Sequence, residues 1–206
     1  HGIRPLDMAK FEHNNLRQPL KVVSSCIDPI SGKLFSKSFS TEDFFHPINE
    51  TATTTTAVRK VDGSRHGLFA CLEASMTVPG ATGPPVDLLY RALDNGDGGA
   101  TSDDTSNSTH VSSSILPCFD AFCFEPIPYR SAVQDGATHV LALCSRPDGY
   151  KIKTKPGIYE YGVAPLYFRT HGHDEVAEFF QKGGQQYVYA EDLLTLEQAM
   201  TAPADG

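Results

Sequence analysis

Long apolar runs are missing from this 206-residue chain. None approaches the roughly 20 residues that a spanning helix requires, and the first residues hold no basic stretch followed by an apolar one. Basic blocks are missing too. Seventeen Lys and Arg stand scattered against twenty-five Asp and Glu, a net charge of −8, so a partner with a phosphate backbone is not expected. Cysteine is sparse and odd in number: Cys26, Cys71, Cys118, Cys123 and Cys144 are unlike the dense, even sets of small secreted scaffolds, and they read as reduced thiols. Three motifs are absent as well: the phosphate-cradling G-x-x-x-x-G-K-[ST], a G-x-G-x-x-G between strand and helix, and the G-x-S-x-G nucleophile elbow. Gly63-Ser64-Arg65-His66-Gly67 has the outline of the last, but Arg65 holds the nucleophile position and cannot attack a carbonyl.

What is present suffices for one ordinary core, since 40% of residues are hydrophobic and 20% charged. Pro19 to Ile27 is strand-like and ends at Asp28-Pro29. Ile30 to Phe39 follows through Gly32 as a second, paired strand. The Thr51 to Thr56 run fits an exposed strand or a loop. His66 to Met76 places Leu68, Cys71, Leu72 and Ser75 or Met76 on one helical stripe, which Pro79 and Gly80 end. From Asp94 to Ser114 the chain turns to Asp, Asn, Gly, Ser and Thr, the profile of a solvated inserted loop. A helix over Tyr129 to Gln134, capped by Gly136, then feeds an apolar strand Thr138 to Cys144, which is the αβ half of a parallel-sheet unit. Asp174 to Gln181 and Ala190 to Met200 have helical spacing, with a strand-like Gln186 to Tyr189 between them, so residues 151–206 form a helical extension. The expected class is α/β, a central mostly parallel sheet flanked by helices.

Candidate chemistry is narrow. His171-Gly172-His173-Asp174 is the one dense cluster of metal-capable groups, but Glu175 follows where a metallo-hydrolase signature needs further ligands, and Asp174 serves equally as a helix N-cap. Cys118 and Cys123 lack a second cysteine pair, and Asp94-Asn95-Gly96-Asp97-Gly98 lacks the closing Glu of a calcium loop. Asn49 and Asn107 begin glycosylation triplets that read as chance matches. Asp120 is the leading candidate. It stands where a strand ends among apolar neighbours, and a carboxylate there needs a partner.

Four blocks carry a family resemblance. Leu72-Glu73-Ala74-Ser75-Met76-Thr77-Val78-Pro79-Gly80, Pro84-Pro85-Val86, Glu125-Pro126-Ile127-Pro128-Tyr129-Arg130-Ser131-Ala132 and Asp135-Gly136-Ala137-Thr138-His139-Val140-Leu141 together resemble the later half of patatin-like phospholipases. The resemblance extends from about Pro5 to Met200 and is strongest over residues 68–146. It implies a partial patatin-like domain and a lipid acyl hydrolase acting through a serine–aspartate dyad, with Asp120 at the register of the family's aspartate. Asp97-Gly98-Gly99 and Asp135-Gly136-Ala137 also spell that aspartate's motif, but neither is followed by the proline turn and helix. The nucleophile and the oxyanion loop are expected upstream of His1. The implied substrate is a lipid ester at a membrane or lipid-droplet surface, met by an intracellular, peripheral protein, with no metal and no organic cofactor. Ala121 and Phe122 stand where the family has two small residues. A catalytically degenerate lipid-surface or protein-interaction module therefore stays open beside the hydrolase, and a metal-dependent hydrolase using His171, His173 and Asp174 stands third.

Overall fold

The computed structural model describes residues 6–45, 67–92, 112–143 and 155–201. Its sheet begins with a local event. Asp28 ends β1 (Val22–Ile27) and its carboxylate accepts the amides of Ile30 and Ser31 at 2.8 and 2.7 Å, while Asp28 N–H donates to the Lys33 carbonyl at 2.9 Å. That side-chain turn reverses the chain within five residues and lays β2 (Leu34–Phe39) antiparallel on β1, from Val22 opposite Phe39 to Ile27 opposite Leu34. β3 (Val86–Ala92) and β4 (Ser112–Asp120) pair antiparallel over seven positions. The two pairs meet along a short seam between β1 and β4, where Ser24, Ser25 and Cys26 face Asp120, Phe119 and Cys118. The strand order is β2-β1-β4-β3.

Alternation then sorts the side chains to two faces. One face presents Val22, Cys26, Phe39, Val86, Leu88, Leu116 and Cys118 to α3 (Leu68–Ala74), with Phe44 of α2 (Thr41–Phe45) and Phe11 of α1 (Met8–Asn15) closing the layer. The other face sends Ile27 and Phe119 against α5 (Ala164–Thr170) and α6 (Asp174–Gln181), through Phe168, Val176, Ala177 and Phe180. A one-turn π-helix over Tyr159–Val163 runs directly into α5. The fold is mixed α/β, a sheet buried on both faces.

The sheet is antiparallel, which corrects the expected mostly parallel arrangement. The short Asp28 turn permits only an antiparallel neighbour, since a parallel one needs a long crossover. The expected strand Thr138 to Cys144 is the other correction. Residues 138–143 lie in no strand, with Leu141 85% and Leu143 89% exposed, and Cys144 lies outside the described residues. Apolar composition suits a strand, but a strand exists only beside a hydrogen-bonding neighbour, and residues 138–143 pair with none of the four strands. The helix before it is as expected: α4 (Tyr129–Gln134) ends at Gly136, whose φ of 91° lets the Ala137 amide return to the Ala132 carbonyl at 3.0 Å.

Further differences are smaller. The stripe of α3 buries Leu68, Ala70, Cys71 and Ala74 and leaves Met76 exposed past the helix end. Residues 112–114 belong to β4 rather than to the inserted loop. Gln186 to Tyr189 is not strand: α7 (Gly184–Thr201) is one continuous helix. Its break residues sit at or before the first turn, where amides need no intrahelical partner. Thr51 to Thr56, residues 93–111 and Ser64 to His66 lie outside the described residues.

Candidate functional site

Asp120 is the last residue of β4, positioned by three separate backbone anchors. Its amide donates to the Thr77 carbonyl at 2.8 Å, its carbonyl accepts the Ser25 hydroxyl at 2.9 Å, and that hydroxyl lies 3.3 Å from the Ala121 carbonyl. A 3-10 turn over Ala121–Cys123 begins immediately after it, and the Phe122 amide donates to Asp120 Oδ1 at 2.9 Å. The carboxylate is therefore held by its own turn. Burial raises its pKa above the usual aspartate value, outweighing the Phe122 amide, which lowers it.

Phe122 links this aspartate to a cleft. Its ring lies 6.4 Å from Tyr159, whose hydroxyl donates to the Pro79 carbonyl at 3.1 Å. The ring also lines a cavity of about 500 Å³ together with Ile127, Tyr129, Val140, Leu141 and Tyr189. The apolar segment that forms no strand thus becomes one wall of a cleft beside the Asp120 turn. Gly80 has φ 77°, which suits glycine, and a Cβ there would crowd Tyr167 and Val163 at 3.2 Å.

Just before the cleft residues Pro126 and Ile127 stands a buried carboxylate that sequence reasoning did not single out. Glu125 accepts the Ser131 amide at 2.8 Å and the Ser131 hydroxyl at 2.6 Å, so it caps the start of α4. The signal was legible: Pro126 and Pro128 delay the helix, leaving a Glu in reach of its first amides. Arg130 then ties α4 to α7, reaching Asp192 at 2.8 Å and Glu191 at 3.2 Å. Asp192 is fully buried, and neither of its oxygens is aligned with a hydrogen-bond donor, so burial prevails over the nearby guanidinium and raises its pKa.

Ser24 was also missed. It faces Asp120 across the seam, and its hydroxyl is buried without a hydrogen-bond partner. Ser25, bonded to backbone carbonyls, is likewise buried. Neither presents an exposed hydroxyl to the cleft.

The other candidates separate. Asp135 is pushed up by burial, but Lys21 at 2.7 Å and the Ser38 hydroxyl at 2.9 Å outweigh that and hold it below the usual range, so it clamps α4 to β1 and β2. Asp97 lies outside the described residues. The His171 ring stacks on Tyr167 at 4.2 Å with Nδ1 2.8 Å from that residue's carbonyl oxygen, and the His173 ring sits 6.4 Å from Phe168. Asp174 is the first residue of α6 rather than its N-cap, a position His173 takes. Cys118 and Cys123 belong to opposite faces of the sheet. Among the described residues no three His, Cys, Asp or Glu groups come together as a metal site, and no helix is long and apolar enough to cross a membrane. No family model, no curated protein and no solved structure matches the chain.

Proposed function

We propose that this chain carries the aspartate of a lipid acyl hydrolase of the patatin-like kind, with Asp120 as general base to a serine that the described residues do not include. The observation that supports this reading is the placement of Asp120: a partly desolvated carboxylate at the end of a central strand, one turn from an apolar cleft. A raised pKa brings a carboxylate closer to the range in which a general base works at neutral pH. The cleft's Ile127, Val140 and Leu141 suit an acyl chain. In the reaction, the serine oxygen attacks the ester carbonyl as its proton passes to Asp120, backbone amides hold the developing oxyanion, and the alcohol leaves with that proton; water, giving a proton to Asp120, then attacks the acyl-enzyme, and the acid leaves as the proton returns to the serine.

A second reading has its own observation. Phe122 donates its amide to the Asp120 carboxylate and is itself a bulky residue at a position where close approach by a nucleophile calls for small residues. That favours a degenerate module which kept the fold and uses Leu141 and Leu143 as an apolar surface.

Hydrolysis of a medium-chain p-nitrophenyl ester and of phosphatidylcholine vesicles by the full-length protein and its Asp120→Asn variant separates the two. The hydrolase reading expects activity in the wild type and a loss of about 10²- to 10⁴-fold in the variant with the fold intact. Equal activity in both removes Asp120 from the reaction, and no activity in either supports the module.

A further inference from the structure

Two buried thiols stand at the weakest line of the sheet. β1 pairs with β2 over six positions and β3 with β4 over seven, yet the two halves join through only three facing pairs, and the last of these is Cys26 opposite Cys118. Both side chains are fully buried, and their sulfurs lie 3.0 Å apart. We propose that Cys26 and Cys118 form a cross-strand disulfide site that locks the two halves of the sheet together under oxidising conditions.

Facing residues on antiparallel strands hold their Cβ atoms about 4.5–5.5 Å apart, and a disulfide needs about 3.5–4.5 Å, so closure asks little of the backbone. An S–S bond of about 2.05 Å requires the sulfurs to approach by about 1 Å, which small rotations of two χ1 angles supply. The other two described thiols are placed differently. Cys71 belongs to α3 and Cys123 to the opposite face of the sheet.

In the reaction two S–H bonds break and one S–S bond forms. The two electrons and two protons pass to one molecule of a small disulfide such as oxidised glutathione, which leaves as two thiols. The Cys118 thiol pKa is raised by its hydrogen bond to Cys26 and by burial, and both sulfurs are closed off from solvent, so Cys118 is a poor nucleophile in the folded reduced chain. The bond therefore closes during folding, while the sulfurs are still accessible. The closed loop spans a separation of 92 residues and ties down the strand end that carries Asp120.

The test is refolding of the full chain from denaturant in a glutathione redox buffer, followed by alkylation of free thiols and peptide mapping without reductant. The expected result is a linked peptide joining Cys26 to Cys118, lighter by two hydrogens than its reduced parts, with Cys71, Cys123 and Cys144 alkylated. The oxidised chain is expected to melt about 5 °C or more above the reduced one. Cys26→Ser, which keeps the side-chain volume, is expected to lose both the link and that increment; if it does not fold, the wild-type peptide map alone decides. Full alkylation of Cys26 and Cys118 in oxidised, folded protein, or a link joining either to another cysteine, overturns the proposal.

Discussion

The two faces of the sheet are packed on opposite principles. On the α3 side the helix contributes small groups, Ala70, Cys71 and Ala74, to a cluster that also holds Cys26, Cys118, Val86, Phe39 and Phe44. Against α5 and α6 the contacts are made by rings, with Phe168 5.4 Å from Phe119 and stacked on Phe180 at 5.6 Å. The α3 side also holds the paired thiols Cys26 and Cys118, with Asp120's register partner Ser24 beside them on the seam. A change of one methyl is felt where small α3 residues meet the strands, and loss of a ring opens a large void where Phe119, Phe168 and Phe180 stack.

The largest break in this contrast comes from the ring face. Phe168→Ala removes a fully buried ring between two others and is expected to cost about 3–5 kcal/mol in denaturant unfolding. The small face responds to the opposite change: Ala74→Leu over-fills a fully buried site against the strands and is expected to cost about 1–3 kcal/mol in the same experiment. Were Ala74→Leu tolerated freely, the close packing of that layer would be disproved.

Two aspartates sharpen the comparison through pH. Burial raises the Asp120 pKa above 3.8, so its contribution to stability is present below that value and is lost as pH rises through the folded-state pKa. Asp120→Asn is expected to gain stability relative to wild type in urea melts as pH climbs from 4 to about 7, with no gain at pH 3. Asp28 has the opposite sign. The Ser31 amide and then the Ile30 amide hold it below 3.8, so its contribution is present above 3.8 and is lost as pH falls through the lower folded value. Asp28→Ala is expected to produce the smallest effect, a slight loss at pH 7 that shrinks as pH falls through the folded-state value, because the carboxylate sits in a solvent-facing turn.

Local features of the fold were legible in the sequence. The Asp28-Pro29 and Gly32 turn announced the β1–β2 hairpin, and Gly136 announced the end of α4, because each is decided by a few adjacent residues. Pairing between distant segments was not. Nothing near Cys26 indicates that it meets Cys118 across a separation of 92 residues, and the joining of the two strand pairs into one sheet depends on that seam. β3 went unread because Leu88 and Leu89 break the alternation that marks a half-buried strand. Thr138 to Leu143 carries stronger strand character than β3 and forms none, because pairing partners and not composition decide. Asp120 was found as the carboxylate at a strand end. Its supports, the Thr77 carbonyl and the Ser25 hydroxyl, come from segments far away in the chain.

The most direct measurement is the rate of fatty-acyl ester hydrolysis by full-length protein as a function of pH, in wild type and Asp120→Asn. If Asp120 is the general base, the wild-type rate rises with pH through a single ionisation lying above the usual aspartate value, and Asp120→Asn loses that limb together with about 10²-fold or more of the rate. An Asp120→Asn protein that keeps both the rate and the rising limb would contradict it.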